Sequence, residues 1–484
     1  MGSAIRFGDA ARVAAFAAGA AVIALTFLVA LQKLGAAVLP LLVLAVAAVI
    51  VVQHPGWTLA LVVVPVLVLE GAFEGGVFPN VSAFYDQSRV LSPLELAIVL
   101  LIIATVLDVA RRHEFRMPDP LTLPLLLVAA AIASGVVTGL FNGGSLKETS
   151  FALRPLIVLL LMPIVVVNVV RGRTAIRRAL LVAAILAAVK AATGVIAVVI
   201  GEGLIDPSLS PLAYLEPTPN WLTMTFLLVV VAALVARMRP PLWAIAIAAL
   251  AVASLLLSYR RSFWIAAIVG ILIVALVGAG RLRWRVAVPS LAIVGFAAWL
   301  TLATGMVADV EGPIAQRAQD LNPTRIEANP QDRYRLDERR NVVRELEDHP
   351  ITGLGLTIPW TGRYPPAVDR VGSRDYAHIN ALWWWLKLGI LGLVAYISLI
   401  ATGIWVAYRV WHEQPDPWLK VVGLGVLGGM IGLVVVETAI SATGVTERFS
   451  VTIGAALGLL AAMLADARRK PTEATPEVAS RGPL

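Results

Sequence analysis

The chain has no cysteine among its 484 residues. Disulfides, thiolate nucleophiles, iron–sulfur clusters and cysteine-based zinc sites are therefore excluded. Charge is scarce as well: 14% of residues are charged and 59% hydrophobic, with a mean hydropathy of +0.85. Soluble domains are about a quarter charged, so this is the composition of a chain that lives in a bilayer. The formal charge of +8 would suit a nucleic-acid partner if it were concentrated. Here the basic residues fall in short clusters between apolar runs, which is what membrane topology produces, so no nucleic-acid partner is expected.

What is abundant is long apolar sequence. A spanning helix needs about 20 mainly apolar residues. Candidate runs are 13–32, 36–53, 57–70, 92–110, 120–140, 154–170, 179–201, 220–236, 241–257, 263–280, 286–304, 381–408, 419–437 and 449–465. Ser92-Pro93 and Asp119-Pro120 read as helix starts, a capping side chain before a first-turn proline. The expected fold is all-α: a polytopic transmembrane bundle of about 12–14 helices with one large, partly helical extracytoplasmic loop. The divisions are 1–304 and 381–466 for the two parts of the bundle, 305–380 for the loop, and 467–484 for a disordered cytoplasmic tail.

Orientation follows from the short loops, because cytoplasmic loops carry the excess of Lys and Arg. Residues 111–116, 171–178, 237–239, 281–285 and 468–470 are basic and 409–420 carries Arg409 and Lys420, whereas 70–89 and 201–219 are acidic or neutral. This pattern puts both termini in the cytoplasm. Two sites break it. Arg260 and Arg261 fall between two apolar runs at the opposite face, and so does Arg448 beside Glu447. Arginine near membrane depth is costly and marks either a function or a structural ion pair; for Arg448, Glu447 and Glu437 are the candidate partners.

The 305–380 segment holds ten Arg, no Lys and twelve Asp or Glu. Guanidinium groups recognise phosphate in a planar, bidentate way that Lys does not, although Arg exceeds Lys throughout the chain. Tyr334 to His349 reads as a helix ended by Pro350 and the Gly353/Gly355 turn. Its apolar periodicity places Leu336, Val342, Val343 and Leu346 on one face, with Arg335 and Arg339 within it. An arginine on a packing face pairs with Asp332, Glu338 or Glu345, or meets a buried anion. His378 follows at the start of the next apolar helix, where a positive helix end favours neutral imidazole. The aromatic run Trp383-Trp384-Trp385 suits the membrane interface.

Taken in order, these residues resemble the O-antigen ligase and O-antigen polymerase superfamily. Three segments carry the likeness: Ser258-Tyr259-Arg260-Arg261-Ser262-Phe263-Trp264; Arg335 followed by Pro350-Ile351-Thr352-Gly353-Leu354-Gly355; and His378 through Leu382 to Gly389-Ile390-Leu391-Gly392. The resemblance implies a GT-C-like, metal-independent, inverting glycosyltransferase without a cofactor, in the bacterial cytoplasmic membrane. Its donor would be a polyprenyl-diphosphate-linked glycan and its acceptor a lipid- or polymer-linked sugar at the outer face. His378 is the expected base, with Asp375 or Tyr376 orienting it. Arg335, Arg260, Arg261, Arg339 and Arg448 are the expected contacts to the diphosphate or glycan. The large loop contains no Asp-x-Asp, so a metal-bridged diphosphate is not expected. The alternative class is a polytopic lipid or polysaccharide transporter or flippase, which would concentrate ionisable groups near the bilayer midplane.

Overall fold

The computed structural model describes residues 52–69, 92–201, 216–278, 330–361 and 376–469. These form twelve helices and, among the described residues, no strand. In chain order they are α1 (Pro55–Val68), α2 (Pro93–Arg112), α3 (Thr122–Phe141), α4 (Leu146–Val169), α5 (Gly172–Val199) and α6 (Pro217–Val235). There follow α7 (Leu242–Leu257), α8 (Arg261–Gly278), α9 (Pro330–Asp348), α10 (Asn380–Glu413), α11 (Pro417–Val436) and α12 (Glu447–Arg468). Nine of the described helices are long and apolar enough to cross a bilayer; α1 and α7 are shorter apolar helices. Three of the expected runs (13–32, 36–53 apart from its last two residues, and 286–304) lie outside the described residues, as do 305–329, 362–375 and 470–484. The remaining runs are all helices.

Local chemistry sets the boundaries. Ser92 caps α2 by accepting from the Glu95 amide while the Glu95 carboxylate accepts from the Ser92 amide at 2.5 Å, a closed capping box with Pro93 at the first position. Ser145, Asp416 and Thr446 cap α4, α11 and α12 with side-chain oxygens that accept first-turn amides. The expected start at Asp119-Pro120 is displaced. The Leu121 amide closes a turn on the Pro118 carbonyl, and helical bonding begins with Leu125 on Leu121. α3 therefore starts at Thr122 without a side-chain cap.

Outward-facing Leu123, Leu126, Ile185 and Ile397 are more than half exposed, the surface of a protein that faces lipid rather than water. Inside, close approach replaces bulk. On α11, a Cβ at Gly425 would lie 2.5 Å from the Val229 Cα of α6, and one at Gly428 would lie 3.0 Å from the Gly270 carbonyl of α8. Small residues at such contacts let helix backbones pack where lipid gives no hydrophobic drive.

The two ends of the bundle differ in charge. At one end, Arg171 pairs with Glu114, Arg173 with Asp466, Arg177 with Asp416, and Arg468 with Glu413. α10 has 34 residues, about 50 Å at 1.5 Å per residue. Its C-terminus is among these arginines and its N-terminus, beside His378, is at the opposite end.

α10 is not continuous. Gly389 has φ 71° and ψ −170°, a backbone conformation that essentially only glycine adopts. Pro350–Leu356 fills the break. The Ile390 amide donates to the Ile351 carbonyl at 2.9 Å and the Leu354 amide to the Leu386 carbonyl at 2.7 Å. On the other side, the Leu356 amide donates to the Gly135 carbonyl of α3 at 3.0 Å. The Trp385 indole and the Lys387 ammonium add bonds to the Pro350 and Ile358 carbonyls. Backbone groups at a helix break must be satisfied when water is excluded. Here the segment after α9 satisfies them, so part of the large hydrophilic segment is built into the bundle.

Candidate active site

α9 is the polar helix of the large segment. Its buried side chains are Tyr334, Glu338, Asn341, Val342 and Leu346. This face is turned around the helix from the one that apolar spacing predicts: Val343 is exposed and Leu336 half-exposed. The reason is that two of the buried positions are polar, so hydrophobic periodicity misses them. Arg335 lies at the edge of the buried face and is half-buried. Arg339 instead is exposed, in an open groove lined by Leu336, Arg340, Val343, Arg344 and Glu347.

Glu338 is the centre of the arrangement. It is 3% exposed, and both carboxylate oxygens serve one residue. Oε1 accepts from the His378 backbone amide at 2.6 Å, and Oε2 lies 2.8 Å from His378 Nδ1. The imidazole is further held edge-on by two rings, Tyr376 at 4.9 Å and Tyr334 at 6.0 Å between centroids. Its Nε2 is the nitrogen left over, on a side chain 26% exposed.

The floor beneath His378 is rigid. Asn380 opens α10 with its amide on the Glu437 carbonyl at 3.0 Å and its side-chain nitrogen on Glu437 Oε1 at 3.0 Å. The buried Glu437 carboxylate also accepts from the Tyr396 hydroxyl at 2.6 Å and the Thr443 amide at 2.8 Å, while the Trp384 indole donates to the Thr443 carbonyl. Tyr376 is fastened from the same loop: its hydroxyl donates to the Ser441 carbonyl at 2.9 Å and accepts from the Ser441 amide at 3.0 Å. Ser441 Oγ in turn donates to the Ala377 carbonyl.

Positive charge converges on this point. Burial pushes the Tyr376 phenol up to about 12; the Ser441 backbone bond opposes the rise, Glu338 adds to it, and the charges of Arg260 and Arg335 oppose it. Arg260 and Arg335 are thus both within electrostatic reach of Tyr376. Arg260 arrives from the α7–α8 turn, where Tyr259 takes φ 50° and the Arg260 amide donates to Ser258 Oγ at 3.3 Å. Its carbonyl accepts from the Phe263 amide at 2.9 Å, which makes it the cap of α8, while Arg261 is the first residue of that helix.

At the end of the bundle away from the arginine-rich loops, His378 packs on Tyr376, whose phenol the charges of Arg335 and Arg260 reach. Arg448 is placed differently. It is 4% exposed, with Nε donating to the Val66 carbonyl at 3.0 Å and Nη1 3.6 Å from Glu216. A cation at the last turn of α1 is favourable to that helix end, as the Glu216 carboxylate is to the N-terminus of α6. Glu216 is an acidic partner that the sequence order did not suggest, while Glu437 is engaged by Asn380, Tyr396 and Thr443. Asp375 lies outside the described residues. Tyr376 packs on the imidazole but gives its hydroxyl to Ser441, and Glu338 holds the Nδ1 side. Sequence spacing contained a signal for this, since Tyr334, Glu338 and Asn341 follow i, i+4, i+7.

Residues 246–397 match the family model described as O-antigen ligase. That segment is similar to the O-antigen ligase domain, which supports the O-antigen ligase and polymerase superfamily. The match runs from α7 into α10 and takes in all three segments on which the sequence resemblance rests, together with Glu338. No curated protein matches the chain. The match, with nine described helices long and apolar enough to cross a bilayer, supports ligase-like glycan transfer in general by a multi-pass membrane protein.

Proposed function

We propose that the protein moves a glycan from a polyprenyl-diphosphate carrier to a hydroxyl of a lipid- or polymer-linked sugar, by inversion and without a metal, at the outer face of the bacterial cytoplasmic membrane. The observation that carries this reading is one oriented imidazole packed on Tyr376, a ring that the charges of two guanidiniums, Arg260 and Arg335, reach. Transfer from a diphosphate needs a base for the acceptor and positive charge for the leaving group. In the proposed step, the acceptor hydroxyl gives its proton to His378 Nε2 and its oxygen bonds to the anomeric carbon. The bond from that carbon to the diphosphate oxygen breaks on the opposite face, and the freed polyprenyl diphosphate is stabilised by Arg335 and Arg260. Arg261 and the exposed Arg339 are assigned to the glycan or diphosphate path, and Arg448 to a supporting contact below it.

Clustering of the arginine-rich loops at the other end supports placing that end in the cytoplasm and the mouth outside. Within the bundle, the buried cations hold chain ends and breaks: Lys190 on the Val68 carbonyl, Lys387 on the Ile358 carbonyl and Arg448 on Glu216. That use favours a transferase over a transporter or flippase, whose midplane charges line a path. The test is transfer from a polyprenyl-diphosphate-linked glycan in proteoliposomes. His378→Ala and Arg335→Ala are each expected to lose at least about 10²-fold in kcat. Near-normal turnover in both variants would overturn the assignment.

A further inference from the structure

We infer that Glu338 is a positioning residue that fixes the tautomer of His378, so that the base at the mouth is a carboxylate–imidazole pair rather than a lone histidine. The inference rests on His378 being the base.

Glu338 is buried and reaches His378 from α9, forty residues away in sequence. Its two oxygens are divided between the His378 backbone amide at 2.6 Å and ring Nδ1 at 2.8 Å. The backbone group can only donate. A carboxylate can only accept, so the ring nitrogen facing Oε2 must carry the proton. Neutral imidazole has one ring proton; with that proton on Nδ1, Nε2 keeps its lone pair and is free to take the acceptor's proton. The rings of Tyr334 and Tyr376 restrict the imidazole from two sides, and the bond from Glu338 to the His378 backbone couples ring direction to the main chain. This is the logic by which a buried acid sets histidine in hydrolytic triads, on a different scaffold and for a different reaction. When the proton moves onto Nε2, the resulting imidazolium lies beside a negative charge, which stabilises the form made in the transition state.

The two-oxygen arrangement makes one substitution unusually informative. Glu338→Gln preserves size and leaves one oxygen and one NH2. The His378 backbone amide, being a donor, takes the oxygen. The NH2 then faces Nδ1, which must become the acceptor, and the ring proton moves to Nε2. The fold contacts are retained while the base loses its lone pair. A merely structural Glu338 would tolerate this exchange.

The experiment compares wild type, Glu338→Gln, Glu338→Asp and His378→Ala in the proteoliposome transfer assay, with 15N-histidine NMR of the same samples. Only five histidines are present, and the His378 signal is assigned by its absence in His378→Ala. The expected result is a kcat loss approaching about 10⁴-fold in Glu338→Gln, the loss seen when a triad acid becomes an amide, with KM little changed. Glu338→Asp is expected to recover part of the rate. The wild-type spectrum should show the Nδ1–H tautomer and Glu338→Gln the Nε2–H tautomer. An Nε2–H tautomer for the assigned His378 signal in the wild type overturns the inference whatever the activity of the Glu338 variants. So does wild-type kcat in Glu338→Gln when His378→Ala is inactive, a result that leaves His378 as base. Full activity in His378→Ala instead removes the underlying reading.

Discussion

Replacing Gly389 with alanine tests the way the large hydrophilic segment is fastened to the bundle. At φ 71° and ψ −170°, an L-residue costs about 1–3 kcal/mol in backbone strain. The new methyl would also sit 2.3 Å from the Ile351 carbonyl oxygen, 2.8 Å from that of Thr352 and 2.9 Å from the Thr352 carbonyl carbon. All three are main-chain atoms, so no side chain can swing away to relieve the contact. Relief requires Pro350–Leu356 to withdraw, which breaks the bond from the Ile390 amide to Ile351 or from the Leu354 amide to Leu386. A buried donor left unmet costs about 1–3 kcal/mol. Strain plus one lost bond comes to about 2–6 kcal/mol, a large share of the about 5–15 kcal/mol by which folded proteins are stable. The assay is the fraction of monodisperse protein surviving a heating series in detergent, read by size exclusion. Gly56→Ala is the control: it lies in α1 with nothing within 4 Å of the added carbon, and its midpoint should hold or rise. Gly389→Ala should melt well below it. Equal midpoints would refute the claim that the break and its filling segment are one locked unit.

Removing Arg448 should be costly for a different reason. Arg448→Ala leaves the Glu216 carboxylate buried opposite nothing of opposite charge at that contact, a change worth about 3–5 kcal/mol in comparable pairs. The double variant with Glu216→Gln should melt above the single one, and a double variant that melts no higher would show the pair to be unimportant. Tyr376, with its phenol raised from 10 to about 12, favours the neutral form in the folded chain. Its contribution to stability is therefore present in full below pH 10 and is lost as pH rises toward 12. Phenolate absorbance near pH 10 should be the same in wild type and Tyr376→Phe; a missing phenolate in the variant at that pH would contradict the burial argument. Tyr376→Phe should also lower the melting midpoint by the loss of its two bonds to Ser441, about 1–3 kcal/mol.

The apolar runs from 92 to 278 and from 381 to 465 were legible because length and composition alone decide a span. Caps such as Ser92 were legible for an equally local reason, whereas Asp119-Pro120 failed because a turn closed by Leu121 on Pro118 intervenes. The pair of Arg335 and His378 was visible as a pattern of residue types in order. What joins them was not. Glu338 was readable only as a partner for an arginine, because the contact it makes crosses 40 residues and is set by tertiary packing. Arg339 was misjudged with the rest of its face, since an amphipathic analysis weighs only apolar side chains and two buried positions of α9 are Glu338 and Asn341. The Gly353, Gly355 and Gly389 motifs likewise signalled special backbone without revealing that they meet one another.

That meeting limits how the protein can be re-engineered. If the large loop were exchanged between sequences, the natural cut would follow hydropathy, at the edges of the polar stretch. Such a cut falls inside the locked unit here. A graft that ends before Pro350 leaves the incoming helix without its tether, and one that carries Pro350–Leu356 from a donor meets a host Gly135, Gly139 and Gly389 shaped for another chain. Functional chimeras therefore need α9, the 350–356 strap, the first three turns of α10 and the facing half of α3 to travel together as one cassette.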